Sequence, residues 1–258
     1  VDNPTRNIRR WLCVGNGSRD MKKNPVYCAI DVSDLGTAQN LALQLSGKVG
    51  GLKIGMEFFY AHGQTGYELL SQQGQNIFLD LKLHDIPNTV AAAVRALVPL
   101  APAYLNVHAG GGAAMMAAAS KSAHETAGAA GVKPPCMLGV TVLTSLSQSD
   151  LNDIGVHGAP RDQVLRLANL AAGNGMDGVV CSAEETAMLR SEMGPDFKLV
   201  VPGIRPAGAG HDDQKRVMTP EAAMAAGADV LVIGRAITQA DDPAHAAQRI
   251  TDALSMGA

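Results

Sequence analysis

The sequence has few aromatic residues, little charge and no long unbroken apolar run. Phe, Trp and Tyr make up 3% of its 258 residues, and Asp, Glu, Lys and Arg together only 17%. So low a charged share beside 47% apolar residues excludes a disordered chain and leaves Ala, Gly, Leu and Val to build the core. Small aliphatic side chains suit helices laid closely on a sheet that is covered on both faces. There is no basic excess either. A formal charge of −3 argues against a nucleic-acid or membrane partner, yet leaves room for the few local donors that a phosphorylated small molecule needs. No stretch reaches membrane-spanning length and no signal-peptide core opens the chain, so a cytoplasmic location is expected. The four cysteines, Cys13, Cys28, Cys136 and Cys181, are scattered without metal-ligand spacing. The last three sit in apolar runs and read as buried free thiols.

Residues 1–24 follow no sustained period and read as an N-terminal extension. Met21 is a candidate natural start, with the stretch before it appended. From Pro25 onward, short β-branched or apolar runs alternate with longer Ala- and Leu-rich stretches. Strands are expected at 26–30, 51–54, 77–82, 104–107, 137–142, 178–180, 199–201 and 230–233. Helices are expected near 35–47, 58–73, 88–100, 112–127, 160–173, 183–192, 219–226 and 243–255. Eight such units match a closed (β/α)8 TIM barrel, an α/β fold formed as one domain over 25–258. An open doubly wound sheet is the competitor. It usually has fewer strands and a glycine-rich loop after the first, whereas here the first strand runs into Asp31-Val32-Ser33-Asp34. Asp34 or Ser33 is expected to cap the first helix, Pro160 and Pro220 to sit in first helical turns, and Gly128 and Gly194 to stop helices. Segment 202–217 has no apolar period and reads as a long loop after strand seven, of a kind that tends to be functional.

Barrels of this type do their chemistry at the C-terminal strand ends. Those ends carry Asp31, Lys53, Asp80 with Lys82 and Asp85, Asn106 with His108, Thr144 with Ser145, Cys181 with Ser182, Pro202 to Arg205, and Gly234 with Arg235. Alternation puts Asp80 and Lys82 on one face of strand three and Leu81 and Leu83 on the other. If that face points into the barrel mouth, a carboxylate and an ammonium lie within reach of each other. Lys53 on the neighbouring strand adds a second ammonium, and Asp85 in the following loop adds a second carboxylate. Such an array keeps buried ammonium groups charged, because each carboxylate offsets the desolvation that favours the neutral amine. A purely structural ion-pair network is the alternative. Arg205 and Arg235 fall in the loops after strands seven and eight, where this fold commonly holds phosphate, and Gln214 can add an amide donor. Either arginine alone would read as a surface residue beside a glycine turn; the pair at both loops reads as a phosphate grip. A divalent site of Asp31, Asp80 and His108 is a weak reading for want of fitting spacing. Gly110-Gly111-Gly112 lacks the full nucleotide fingerprint, and Ser145 and Ser182 lack a nucleophile elbow.

The run Phe78-Leu79-Asp80-Leu81-Lys82-Leu83-His84-Asp85-Ile86-Pro87-Asn88-Thr89 resembles the signature of the orotidine 5′-phosphate decarboxylases. The similarity extends through Leu52-Lys53-Ile54-Gly55, Asn106-Val107-His108-Ala109, Pro202-Gly203-Ile204-Arg205-Pro206 and Val232-Ile233-Gly234-Arg235, in the bacterial form. It implies decarboxylation of orotidine 5′-monophosphate to UMP and CO2 in de novo pyrimidine biosynthesis, without cofactor or metal. By that resemblance Lys82 protonates C6, Asp80 faces the departing carboxylate, and Lys53 and Asp31 contact the ribose hydroxyls. Thr144 then lies at the pyrimidine, and Arg205, Gln214, Gly234 and Arg235 hold the phosphate under a closing loop, 203–216. A homodimer is also implied, in which Asp85 and Thr89 reach into the partner's site. Sugar-phosphate decarboxylases and epimerases of the same barrel group share the Asp-x-Lys-x-x-Asp pattern but use Mg2+ and an enediolate. The continuation Ile86-Pro87-Asn88-Thr89 and the pair Thr144-Ser145 favour the pyrimidine nucleotide. A non-catalytic phosphate-ligand sensor on the same barrel is the alternative from a different class.

Overall fold

The computed structural model describes residues 24–206 and 218–256. The proposed N-terminal extension up to residue 23, with Cys13 and Met21, therefore lies outside the described residues, as does Gln214. Eight parallel strands close into a barrel: β1 (Val26–Ile30), β2 (Gly51–Gly55), β3 (Asn76–Leu83), β4 (Tyr104–His108), β5 (Cys136–Val140), β6 (Gly178–Val180), β7 (Lys198–Val201) and β8 (Val230–Ile233). Closure is direct, with Val26 of β1 opposite Leu231 of β8. Around it run α1 (Leu35–Leu45), α2 (Met56–Ser71), α3 (Pro87–Leu97), α4 (Ala113–Ala130), α5 (Gln148–Asp153), α6 (Pro160–Gly173), α7 (Thr186–Met193), α8 (Pro220–Ala225), α9 (Arg235–Thr238) and α10 (Pro243–Met256). Among the described residues no helix is long and apolar enough to cross a membrane.

Local signals account for several helix ends. The Asp34 carboxylate accepts from the Thr37 N–H at 2.7 Å and caps α1, while Thr219 accepts from the Ala222 N–H and caps α8 just before Pro220. Gly194 follows α7 with φ 76°. The expected stop at Gly128 is corrected: α4 continues to Ala130 and ends at Gly131, which is left-handed with φ 66°. Gly128 is exposed, while Ala119, Ala123 and Ala127 form a buried stripe along the same helix. One interior glycine costs about 1 kcal/mol, too little to end a helix whose neighbours are packed. β5 also stops at Val140 rather than 142. Thr141 leaves the strand with both its N–H and its hydroxyl donating to the Val180 carbonyl.

Two apolar layers follow from the pleat. One face of each strand packs outward on the helices, as Leu52, Leu79 and Leu105 do against residues such as Leu41, Val94 and Met115. The other face fills the barrel with Tyr27, Ala29, Phe78, Cys136, Leu138, Val200, Val230 and Val232. Tyr104 sets its ring edge-on to Tyr27, with centroids 5.5 Å apart. Cys28, Cys136 and Cys181 are buried free thiols, as expected. Two residues further up the inward face, the composition changes: Ala29 gives way to Asp31, Phe78 to Asp80, Tyr104 to Asn106 and Val232 to Gly234. The barrel floor is mainly apolar, and its mouth is polar.

Candidate active site

A cavity of about 320 Å³ opens at the C-terminal strand ends. Asp31, Lys53, Asp80 and Lys82 line it from β1 to β3, Thr144 and Ser145 from the segment after β5, and Arg205, Gly234 and Arg235 from the ends of β7 and β8. Nine of the residues singled out in the sequence thus share one hollow. Asp80 is the hub of its charged side. Lys82 Nζ lies 2.7 Å from Asp80 Oδ1, Lys53 Nζ 3.4 Å from Asp80 Oδ2, and Lys53 Nζ 3.0 Å from Asp31 Oδ1. The charges alternate from Asp31 through Lys53 and Asp80 to Lys82.

Burial grades along this chain of charges. The Lys53 and Asp80 side chains are 10% and 11% exposed, Lys82 26% and Asp31 56%. For Asp80, burial alone would push the carboxyl up; the Lys53 and Lys82 ammonium groups and the Asn106 hydrogen bond outweigh it and hold the group below the usual carboxylate range. Burial likewise pulls the Lys53 ammonium down, but Asp80 and Asp31 together raise it above the ordinary lysine value. The interior of the cluster is therefore ionised. Gly55 permits this crowding, since a Cβ there would stand 3.0 Å from both Asp31 Oδ1 and Lys53 Nζ.

Lys82 reaches the mouth by a different path from the one alternation predicts. Its φ is 52°, and the β3–β4 register shifts between Leu79, which faces Leu105, and Leu83, which faces Val107. A bulge, rather than regular pleating, brings Lys82 to the same side as Asp80. A left-handed conformation at a non-glycine residue costs about 1–2 kcal/mol, so the surroundings must hold it. Asn106 was named in the sequence only as a strand-end residue. In the structure it is fully buried, donates through Nδ2 to Asp80 Oδ1 at 2.7 Å and accepts at Oδ1 from the Lys82 N–H at 2.8 Å. A signal for it existed, since alternation puts this carboxamide on the inward face of β4 between Tyr104 and His108. His108 packs against His84 with the two rings tilted and their centroids 5.3 Å apart. Burial, then the neighbouring His84 and Lys82, hold the His108 imidazole below its ordinary value. Asp31, Asp80 and His108 do not group as metal ligands, nor do any three His, Cys, Asp or Glu among the described residues.

Two predicted site residues stay outside the cavity. Asp85 and Thr89 are exposed on the chain's own surface, where Asp85 Oδ1 accepts from the Ile86 N–H at 2.6 Å. Of loop 203–216, only 203–206 are described. Its two ends are drawn together by a bridge between Ile204 and Met218, with the Arg205 N–H donating to the Met218 carbonyl at 3.1 Å.

Residues 24–250 match the model of the orotidine 5′-phosphate decarboxylase / HUMPS family. The chain belongs to this family. An orotidine 5′-phosphate decarboxylase of Rhodospirillum rubrum is 56% identical over 231 residues, covering 89% of this chain and 94% of that protein. Another, from Paramagnetospirillum magneticum, is 52% identical over 233 residues, covering 90% and 99%. Among solved structures, orotidine 5′-phosphate decarboxylase from Lactobacillus acidophilus superposes with a TM-score of 0.78 at 38% identity, over 90% of this chain and 99% of that one. Each of these relatives carries the first of the family's two names.

Proposed function

We propose that the Asp31–Lys53–Asp80–Lys82 cluster carries out the reaction of this family member, the decarboxylation of orotidine 5′-monophosphate to UMP and CO2, with Lys82 as the proton donor. The observation that carries the reading is a buried carboxylate bound to an ammonium at 2.7 Å, in a cavity also lined by Arg205 and Arg235. Breaking the bond between C6 and its carboxyl group leaves an electron pair in the ring plane, where the π-system does not delocalise it. A fixed ammonium about 4 Å away, at an effective dielectric near 20, stabilises that charge by about 4 kcal/mol, roughly a thousandfold in rate. Lys82 then passes its proton to C6 and is recharged from solvent, and general acid catalysis of this kind contributes about 10²- to 10⁴-fold. Asp80 faces the departing carboxylate and holds Lys82 in place.

The remaining roles are those that the family resemblance implies. Lys53 and Asp31 meet the ribose hydroxyls, and Thr144 meets the pyrimidine. Arg205, Arg235, Gly234 and Gln214 take the phosphate, with loop 203–216 closing over it. Phosphate binding is remote from the reacting carbon, so its free energy serves to orient the ring and hold the loop. Asp85 and Thr89 complete the partner's site in a homodimer, a reading supported by their exposure away from their own cavity. In this account residues 25–258 form one catalytic domain working in cytoplasmic pyrimidine biosynthesis. Mixing the protein with orotidine 5′-monophosphate in excess EDTA should bleach the substrate's ultraviolet absorbance at the full metal-replete rate. Loss that appears only after Mg2+ is added would replace this reading with the enediolate chemistry of the sugar-phosphate enzymes.

A further inference from the structure

We propose that Asn106 is a positioning residue for this reaction, whose single carboxamide fixes the Asp80 carboxylate and the Lys82 backbone together and so sets where the ammonium stands. The proposal rests on the reading of Lys82 as proton donor. Asn106 does not line the cavity and touches no reacting atom; it acts through the two residues that do.

The bulge in β3 creates the need. Leu79 and Leu83 are four residues apart, but their partners Leu105 and Val107 are two apart, so Asn106 alone faces Asp80, Leu81 and Lys82. The ladder therefore has no regular acceptor for the Lys82 N–H, and an amide buried without a partner is costly. Asn106 Oδ1 supplies that acceptor at 2.8 Å. Its Nδ2 donates at 2.7 Å to Asp80 Oδ1, the same oxygen that receives Lys82 Nζ at 2.7 Å. The result is a closed loop of contacts: carboxamide to Lys82 backbone, along the Lys82 side chain to Asp80, and back to the carboxamide. Both ends of the amide are assigned by chemistry, since only its oxygen can accept from an N–H and only its nitrogen can donate to a carboxylate.

Few other side chains can close this loop. Alanine or leucine offers neither contact. Aspartate keeps the acceptor for the Lys82 N–H but sets a second negative charge against Asp80. Glutamine carries the right groups on a stem one methylene too long for a fully buried slot. Lys82 is one of only two non-glycine described residues with positive φ, the other being Ala101. A residue in that conformation persists where its surroundings over-determine it, and such residues cluster at functional sites.

The test compares Asn106→Ala and Asn106→Asp with the parent enzyme, measuring kcat, KM, UMP affinity by titration and the pH profile of kcat. Asn106→Ala should lower kcat about 10- to 100-fold, as expected for losing a hydrogen bond to a charged group, and leave UMP affinity within about threefold. Asn106→Asp should be at least as impaired near pH 8 and should regain activity as the pH falls towards 5. There the two facing carboxylates share a proton, and the introduced group can donate to Asp80 as the amide did. The alanine variant should show no such recovery. A residue that merely fills the bulge would lower thermal stability but leave kcat and its pH profile unmoved. Should Asn106→Ala aggregate, Asn106→Ser, which keeps a polar group in the slot, takes its place. The proposal is overturned if the folded variants keep kcat within threefold of the parent, or if the loss falls entirely on KM and UMP affinity. An inactive parent enzyme, or a fully active Lys82→Ala, would instead overturn the underlying assignment of function.

Discussion

Replacing Asp80 with asparagine keeps the shape of the hub and removes its charge, and the structure gives the size of the effect. Three donors converge on that carboxylate: Lys82 Nζ and Asn106 Nδ2, each 2.7 Å from Oδ1, and Lys53 Nζ, 3.4 Å from Oδ2. A carboxamide offers one acceptor atom and one donor group in place of two acceptors, so at least one of the three donors must then face a donor. The gross attraction lost per ammonium at 3 Å, with an effective dielectric of 20, is about 5.5 kcal/mol. Against it stands the relief of not burying the carboxylate, itself several kcal/mol, and removing one partner of a buried pair typically nets about 3–5 kcal/mol of destabilisation. Two features reduce that here. Lys53 keeps Asp31 at 3.0 Å, and a quarter of the Lys82 side chain meets solvent. We therefore expect a loss of about 2 kcal/mol, which for a chain of this size lowers Tm by roughly 4–8 °C. Thermal unfolding at low and high salt is the assay, and the shift should survive salt because the cluster is largely buried. Lys121→Ala is the control: it breaks an exposed pair with Glu125 at 3.8 Å and should move Tm by less than about 2 °C. An unchanged or higher Tm for Asp80→Asn would mean that desolvation outweighs the attraction within the cluster, and that the cluster does not stabilise the fold.

Other outcomes follow from the same geometry. Arg235→Ala should raise KM by about 10- to 100-fold, since it removes a charge-assisted contact to phosphate, yet hardly affect turnover of orotidine, which has no phosphate; equal losses on both substrates would contradict the phosphate role. If Asp85 serves the partner's site, Asp85→Ala and Lys82→Ala homodimers should each be impaired. Mixed after subunit exchange they should recover about a quarter of parental sites, or half of the sites in each heterodimer, whereas no recovery would place Asp85 in its own site. Linkage sets the pH window of the cluster. Asp80 is held below the usual carboxylate range, so its contribution to stability is present above about pH 4 and lost as the pH falls further; Lys53 is held above its ordinary value, so its contribution is present below about pH 10 and lost as the pH rises. Urea titrations should show the acid loss weakened in Asp80→Asn, and an unaltered acid limb would contradict the assignment.

Much of this was legible in the sequence because barrel strands and their ends carry separate signals. Apolar β-branched runs mark all eight strands, and their C-terminal ends carry Asp31, Lys53 and Asp80. The path of Lys82 was not legible, because no glycine or proline marks the bulge. It is held in place by Asn106 from the next strand, a tertiary cause that local pattern does not carry. The helix α5 had its signature in Ser147 and Asp150, which form a capping box, but six residues are too few for an apolar period to show. Gly128 failed as a stop because packing of the alanine stripe overrode a weak local preference. Asp85 and Thr89 illustrate a different limit. A single chain shows them exposed and outside its own cavity, and the role proposed for them needs a second copy.

Lys82→Ala probes the proton donor itself, with turnover of orotidine 5′-monophosphate and binding of UMP measured on the same folded preparation. Loss of both the charge and the proton predicts a fall in kcat of at least about 10⁴-fold, with UMP affinity within about tenfold of the parent. A variant that still decarboxylates within tenfold of the parental rate would show that the ammonium bound to Asp80 is not the group that protonates C6.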